Sequence, residues 1–254
     1  MIDNITYSDR TKPDPKLSNI INGYLYCTGG KGVPILEQMR CLLLYDQVAK
    51  CILQKILSND VDDTALSSTM MKNLIIHGYA YPAYTMIGKL FEYHKCNKHK
   101  SISLRYLIED TRDFLSEDKE FKEIERLCDP RTNMLLKEAL RIRNKVICHN
   151  DKFDFQNLSV ELHECTKVAF KTFRYYCNLL SADIELNFYS LCNESWIDNE
   201  IKMLSLPILR DDNDKSRLKT DYINGLNDFG FNKLSWSDTE RMMRKLISVQ
   251  EISH

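Results

Sequence analysis

Apolar side chains recur every three or four residues along most of the chain, the spacing that places them on one face of an α-helix. No long stretch alternates apolar and polar residues as a half-buried strand would. Pro82 falls inside the second predicted helix and is expected to kink it, because the proline ring removes a backbone hydrogen bond. We therefore predict an all-α fold, an up-and-down helical bundle. Its helices are expected at about 36–57, 64–93, 104–114, 117–128, 133–149 and 158–179.

The bundle is predicted to occupy residues 35–190, between two segments of different character. Residues 1–34 are rich in proline and glycine and lack a clear period, so we predict an N-terminal arm or loop with a short extended piece at 24–27. Residues 191–254 are too short for a separate core and are predicted to be a helical C-terminal extension packed on the bundle. This extension contains an acidic loop at 211–214 and a last helix that begins with a capping box at Ser237 and Glu240.

Helix ends within the bundle are predicted from residues that accept hydrogen bonds from backbone N–H groups. Ser101 or Ser103 is expected to cap the helix at 104–114, and Thr132 the helix that follows it at 133–149. Both serine and threonine hydroxyls accept from the first free N–H groups of a helix.

Composition narrows the class of protein. The chain has 254 residues, 43% of them hydrophobic, and a net charge of −1, so it lacks the overall basic field of many nucleic-acid-binding proteins. Nucleic acid would have to be bound by a local basic patch. Nine cysteines without paired spacing, and no recognisable signal peptide, favour reduced thiols and a cytoplasmic location. No apolar run is long enough to span a membrane, so no membrane association is expected.

The most basic stretch is the sequence HKCNKHK at residues 94–100. Its two histidines and one cysteine are only three candidate ligands, and a closed structural zinc site requires four, so we predict no metal and no cofactor. Lys95, Lys98, Lys100 and Arg105 are candidates for holding RNA phosphates by charge. A basic loop that serves only solubility would have the same composition, and the sequence leaves both interpretations open.

Residues 136–151 place polar groups where packing alone would favour apolar ones. As a helix, this segment has two apolar stripes, with Arg143 on one and His149 on the other, and Asn144 lies beside Arg143. An arginine is rarely buried unless it is paired or opens onto a site. The structural explanation is that Arg143 pairs with a carboxylate of another helix and that His149 satisfies the last carbonyls of its own helix. The functional explanation is an active site.

The set Arg143, Asn144 and His149, in the sequence RNKVICHND, resembles the signature of the HEPN superfamily. In that signature an arginine is followed by a polar residue and, about four to six residues later, by a histidine, on a helix of an all-α bundle. The RNK start and a segment like SISLRYL at 101–107 are most similar to the abortive-infection branch. The resemblance covers residues 35–185 approximately.

The resemblance implies a metal-independent endoribonuclease, a toxin or antiphage abortive-infection effector, with a ribose 2′-OH as nucleophile. His149 would act as general base or acid, Arg143 would hold the phosphate, Asn144 would orient His149 or the phosphate, and Lys145 would add an RNA contact. Expected partners are an RNA (a tRNA or an mRNA), a second copy of the chain, and an antitoxin or other defence-system protein.

Two points qualify these expectations. On an ideal helix Arg143 and His149 lie about 120° apart, so either the helix ends near Cys148 or two copies form a composite site in a homodimer.

Many HEPN toxins carry a tyrosine two residues after the histidine, which an antitoxin modifies, and here that position is Asp151. The alternative function is a non-catalytic HEPN-like module that binds RNA, a nucleotide or a protein partner.

Overall fold

The computed structural model describes residues 14–26, 32–57, 69–91, 101–147, 158–180, 194–203 and 212–231. Within these ranges the secondary structure is helical and contains no strand, which confirms the prediction of an all-α fold. The helices are α1 (Pro15–Tyr26), α2 (Ile35–Leu57), α3 (Thr69–Phe91), α4 (Leu104–Leu115), α5 (Lys119–Leu127), α6 (Met134–Ile142), α7 (Leu158–Leu179), α8 (Glu194–Met203) and α9 (Asp212–Leu226), with π-helical segments π1 (Arg143–Ile147) and π2 (Asn227–Phe231).

Helix α2 packs most extensively against α3, α7 and α9, and this group forms the centre of the core; α2 also contacts α1. Helix α6 packs on α3 and α7, and π1 continues from α6 along α3. Aromatic rings fill much of the interior, and the largest fully buried side chains include Tyr84, Phe91, Phe170, Phe173, Tyr176 and Tyr222. Burying a ring of this size stabilises a fold by roughly 1.5–3 kcal/mol, so the aromatic core is a major source of stability.

Two pairs of buried polar side chains in this core are bound to each other. The Tyr176 hydroxyl lies 2.8 Å from Thr111 Oγ1, and the Cys128 thiol lies 3.0 Å from Thr172 Oγ1. An unpaired hydroxyl would cost free energy at these positions, so the pairs help to specify how α4, α7 and the end of α5 meet.

The N-termini of the middle helices are capped by side-chain oxygens. Ser103 accepts from the N–H of Tyr106 at 3.2 Å, which confirms one of the two predicted serine caps. The cap of α6 is Asn133, whose Oδ1 accepts from two backbone N–H groups. The prediction of Thr132 as this cap is wrong. The Thr132 hydroxyl instead donates to the carbonyl oxygens of the preceding turn.

The N-terminal segment forms a helix over 15–26, so the predictions of a loop and of an extended piece are wrong there. Leu17, Ile21 and Leu25 follow one another at intervals of four, and this single stripe is buried in the core. The Tyr24 hydroxyl donates to Asp110 Oδ2 at 2.7 Å and ties α1 to α4. Three apolar residues on one face are sufficient when the bundle already provides the surface that covers them.

The C-terminal part of the described chain also packs on the bundle. Ile197 and Ile201 of α8, and Leu218 and Tyr222 of α9, belong to the same core as α2 and α7. Helix α9 begins at Asp212, so the prediction of an acidic loop is wrong for 212–214. The capping box at residues 237 and 240 lies outside the described residues. No helix in the described part of the chain is long and apolar enough to cross a membrane.

Candidate functional site

Helix α6 brings the candidate arginine to its position. Its apolar face, Leu136, Ala139, Leu140 and Ile142, is buried against α3 and α7, and this burial fixes the rotation of the helix. Arg141, only two residues before Arg143, is exposed and binds Glu138 with its Nη2 2.5 Å from Oε1. The two arginines therefore have different environments, since the helix turns one towards solvent and the other towards the bundle.

The α-helix changes into a π-helix at Arg143. The N–H of Arg143 is shared between the carbonyl oxygens of Ala139 and Leu140, and residues 143–147 then follow the wider π geometry. The motif segment is helical as far as residue 147, as predicted, but it has the π form from Arg143 onward. Single π turns within helices often occur at functional sites, because the wider turn redirects the side chains that it carries.

Arg143 and Asn144 are half-buried and bound to each other. The Arg143 Nη1 donates to Asn144 Oδ1 at 2.5 Å. A hydrogen bond from a guanidinium to an amide oxygen restricts the rotamers of the long arginine side chain. In this structure Asn144 is thus a partner of Arg143. Lys145, the next residue, is exposed.

Gly88 of α3 provides the space into which Arg143 fits. A Cβ atom added at Gly88 would lie 2.8 Å from Arg143 Nε and 3.3 Å from both Cδ and Cζ. A real Cβ essentially never approaches another heavy atom within 3.0 Å. The guanidinium therefore lies directly against the backbone of α3, and a residue with any side chain at position 88 would displace it.

The other predicted site residues are distributed as follows. Arg105, on α4, is half-buried, and its Nη1 is buried without a hydrogen-bond partner in the described structure. Its charge assists the bound Arg131 in lowering the pKa of Asp129 to about 2. Arg105 is thus packed beside the turn after α5, and its contact with RNA stays a prediction.

Several predicted residues lie outside the described part of the chain. These are the basic residues Lys95, Lys98 and Lys100, the catalytic candidate His149, and Asp151. The three candidate zinc ligands of residues 94–100 are also outside it. Among the described residues, no group of three or more histidine, cysteine, aspartate or glutamate side chains is arranged to hold a metal ion.

Sequence reasoning did not identify a second polar pair, which joins α2 to α7. His163 Nδ1 lies 2.9 Å from Asp46 Oδ2, and the Asp46 side chain is only 3% exposed. The His163 ring is also tilted against Phe229 of π2, with their centroids 6.0 Å apart. The sequence does indicate this pair in one respect, because Asp46 follows a run of leucines in α2. A carboxylate that such a helix buries requires a partner.

Comparisons with protein-family models, with curated proteins and with solved structures found no match for this chain. The functional interpretation therefore depends on the residues themselves and on their arrangement.

Proposed function

We propose that this protein is a metal-independent endoribonuclease of the HEPN type, acting as a toxin or an antiphage effector. The environment of Arg143 supports the proposal most strongly. This arginine is half-buried, it is bound to Asn144, and it lies on a π turn against Gly88. An arginine in solvent would need none of these features. Arg141, on the same helix, is such an arginine, since it is exposed and binds Glu138. Holding a guanidinium in one position at a partly desolvated surface is what binding of a phosphodiester requires.

In the proposed reaction, the ribose 2′-oxygen attacks the adjacent phosphorus. His149 accepts the 2′-hydroxyl proton, the new bond from the 2′-oxygen to phosphorus forms, and the bond from phosphorus to the 5′-oxygen breaks. The leaving 5′-oxygen takes a proton from water, which balances the proton that His149 accepted, and the products are a 2′,3′-cyclic phosphate and a 5′-hydroxyl. Arg143 stabilises the negative charge that develops on the phosphoryl oxygens. DNA lacks the 2′-hydroxyl and is not a substrate.

In this proposal two copies of the chain line one cleft, and each contributes its arginine and histidine. A two-fold dimer is the commonest assembly of soluble proteins, and it would supply the second set of side chains that a single helix does not bring together. Lys145 is exposed next to Arg143 and extends the basic surface on which the RNA backbone would lie.

The test is cleavage of total RNA and of a tRNA pool by the purified protein in EDTA. Arg143→Ala and His149→Ala are each expected to reduce the rate at least about 100-fold, since general acid–base catalysis and phosphate stabilisation each contribute on this scale. Arg141→Ala is the matched control, because it removes an exposed arginine of the same helix that is bound to Glu138. It is expected to cleave as the wild type does.

Circular dichroism and gel filtration show whether each variant retains its helices and its assembly state. Cyclic-phosphate ends on the wild-type products, and their loss in the two active-site variants alone, would support the proposal. Cleavage retained by both variants, or cleavage that requires a metal ion, would contradict it. A folded wild-type protein that cleaves no RNA would favour the non-catalytic alternative.

A further inference from the structure

Four polar side chains lie along one face of α7, a helix that follows the motif residues in the sequence. Lys167, Lys171, Arg174 and Asn178 are separated by four, three and four residues, which places them on the same side of the helix. They line a cavity of about 350 Å³ that is also bounded by α5 and π2. This volume lies in the range of small-molecule sites, about 300–1,000 Å³.

The three cations of this cavity differ in their partners. Lys167 binds Glu164 at 2.7 Å and Lys171 binds Glu123 at 2.6 Å, in pairs whose side chains are about half exposed. Arg174 makes no hydrogen bond or ion pair with another described residue. Ion pairs of exposed lysines contribute little to stability and can be exchanged for another anion at low cost. The cavity therefore offers one guanidinium and two ammonium groups to an anionic ligand.

Aromatic and amide groups lie beside these charges. Phe229 of π2 stacks on Phe170 with centroids 4.6 Å apart, and it contributes to the cavity wall. Tyr175 is held in place because its hydroxyl donates to Asp118 Oδ2 at 3.2 Å. Asn178 also lines the cavity, although it is only 8% exposed. A planar ring in the ligand would find in Phe229 an apolar wall to pack against.

Two carboxylates, Glu120 and Asp228, complete the lining and exclude a simple anion as the best ligand. A free phosphate would be repelled by them, whereas a ligand with hydroxyl or amino donors would donate to them. We propose that this cavity binds a nucleotide, with its phosphate on Arg174 and Lys171, its base against Phe229, and its ribose hydroxyls or base amino group on the carboxylates. The nucleotide is either free or the phosphorylated end of an RNA.

This site is separate from the proposed nuclease centre, since none of its lining residues belongs to the motif. Its test therefore does not depend on cleavage. The 254-residue chain is titrated in a calorimeter with the four 5′-mononucleotides, with adenosine and with inorganic phosphate. At least one mononucleotide is expected to bind with a dissociation constant below about 1 mM, and phosphate and adenosine at least roughly tenfold more weakly. A tetranucleotide with a 5′-phosphate distinguishes the two sources, since tighter binding of it identifies an RNA end.

Arg174→Gln is expected to weaken nucleotide binding at least about tenfold, because it removes a charge-assisted bond to the phosphate. Lys122→Gln is the matched control, since Lys122 is an exposed cation of α5 whose nearest carboxylate, that of Glu117, is 4.0 Å away. It lies outside the cavity and should bind as the wild type does. Circular dichroism confirms that both variants are folded. The proposal is overturned if no mononucleotide binds, if phosphate alone binds as tightly, or if Arg174→Gln has no effect.

Discussion

Gly88→Ala tests how the bundle holds Arg143. The new Cβ would lie 2.8 Å from Arg143 Nε, so the guanidinium must move by several tenths of an ångström or more. Displacing a catalytic group by about 1 Å can reduce a rate about 100-fold. We therefore expect Gly88→Ala to reduce RNA cleavage nearly as much as Arg143→Ala does.

Two opposing terms determine the effect on stability. Alanine is favoured over glycine inside a helix by about 1 kcal/mol. The contact with Arg143 opposes this, and overpacking of a filled site costs about 1–3 kcal/mol. The atoms met are the far end of a flexible side chain, so the overlap is taken at the low end, about 1 kcal/mol, and the free energy of unfolding should change little.

Gly78→Ala is the matched control on the same helix. Gly78 is exposed, and a Cβ added there meets no other atom within 4 Å. Only the helix preference then applies, so this variant should be about 1 kcal/mol more stable than the wild type, with unchanged cleavage.

A double-mutant cycle isolates the contact itself. Once Arg143 is alanine, the obstacle at position 88 is gone, so Gly88→Ala should then stabilise the protein by about 1 kcal/mol. The difference between the two backgrounds, about 1 kcal/mol, is the coupling between the residues. Urea denaturation of the four proteins measures it. If Gly88→Ala is equally stabilising in both backgrounds and retains full cleavage, the reasoning about Arg143 is refuted.

Three further predictions concern the assembly, pH and thiol reactivity. A mixture of Arg143→Ala and His149→Ala chains should recover part of the RNA cleavage that each variant lacks, because a mixed dimer restores one intact composite site. If a proven mixed dimer shows no recovery, the sites lie within single chains. Hydrogen bonds from Arg131 are the main cause that holds the pKa of Asp129 at about 2. The ionised Asp129 therefore stabilises the fold above about pH 4, and this stabilisation is lost as the pH falls to 2. Asp129→Asn should therefore cost about 1 kcal/mol at pH 7, after allowance for the exposed partner, and less at pH 3 in urea titrations; an equal cost at both would contradict this. Burial raises the pKa of the Cys128 thiol to about 12, so iodoacetamide at pH 8 should modify it in urea but not in the native protein, as peptide mass spectrometry would show.

Local periodicity was sufficient to predict the fold class and most helices. The helix of residues 158–179 was predicted with the ends that it has in the structure, because its apolar stripe is regular and buried on one side. The cap at Ser103 also depends only on nearby residues, since its hydroxyl binds an N–H three positions ahead. The same kind of pattern singled out Arg143, because an arginine on an apolar stripe is conspicuous without any coordinates.

Contacts between distant residues were decided only by the tertiary structure. The stripe of Leu17, Ile21 and Leu25 is too short to predict a stable helix alone, and it forms α1 because the bundle covers it. The approach of Gly88 to Arg143 joins positions 55 residues apart, and no local rule connects them. The cavity on α7 likewise requires π2 and α5 to meet around one helix face. Periodicity reports which side of a helix is buried, whereas the identity of the neighbour depends on how the helices pack.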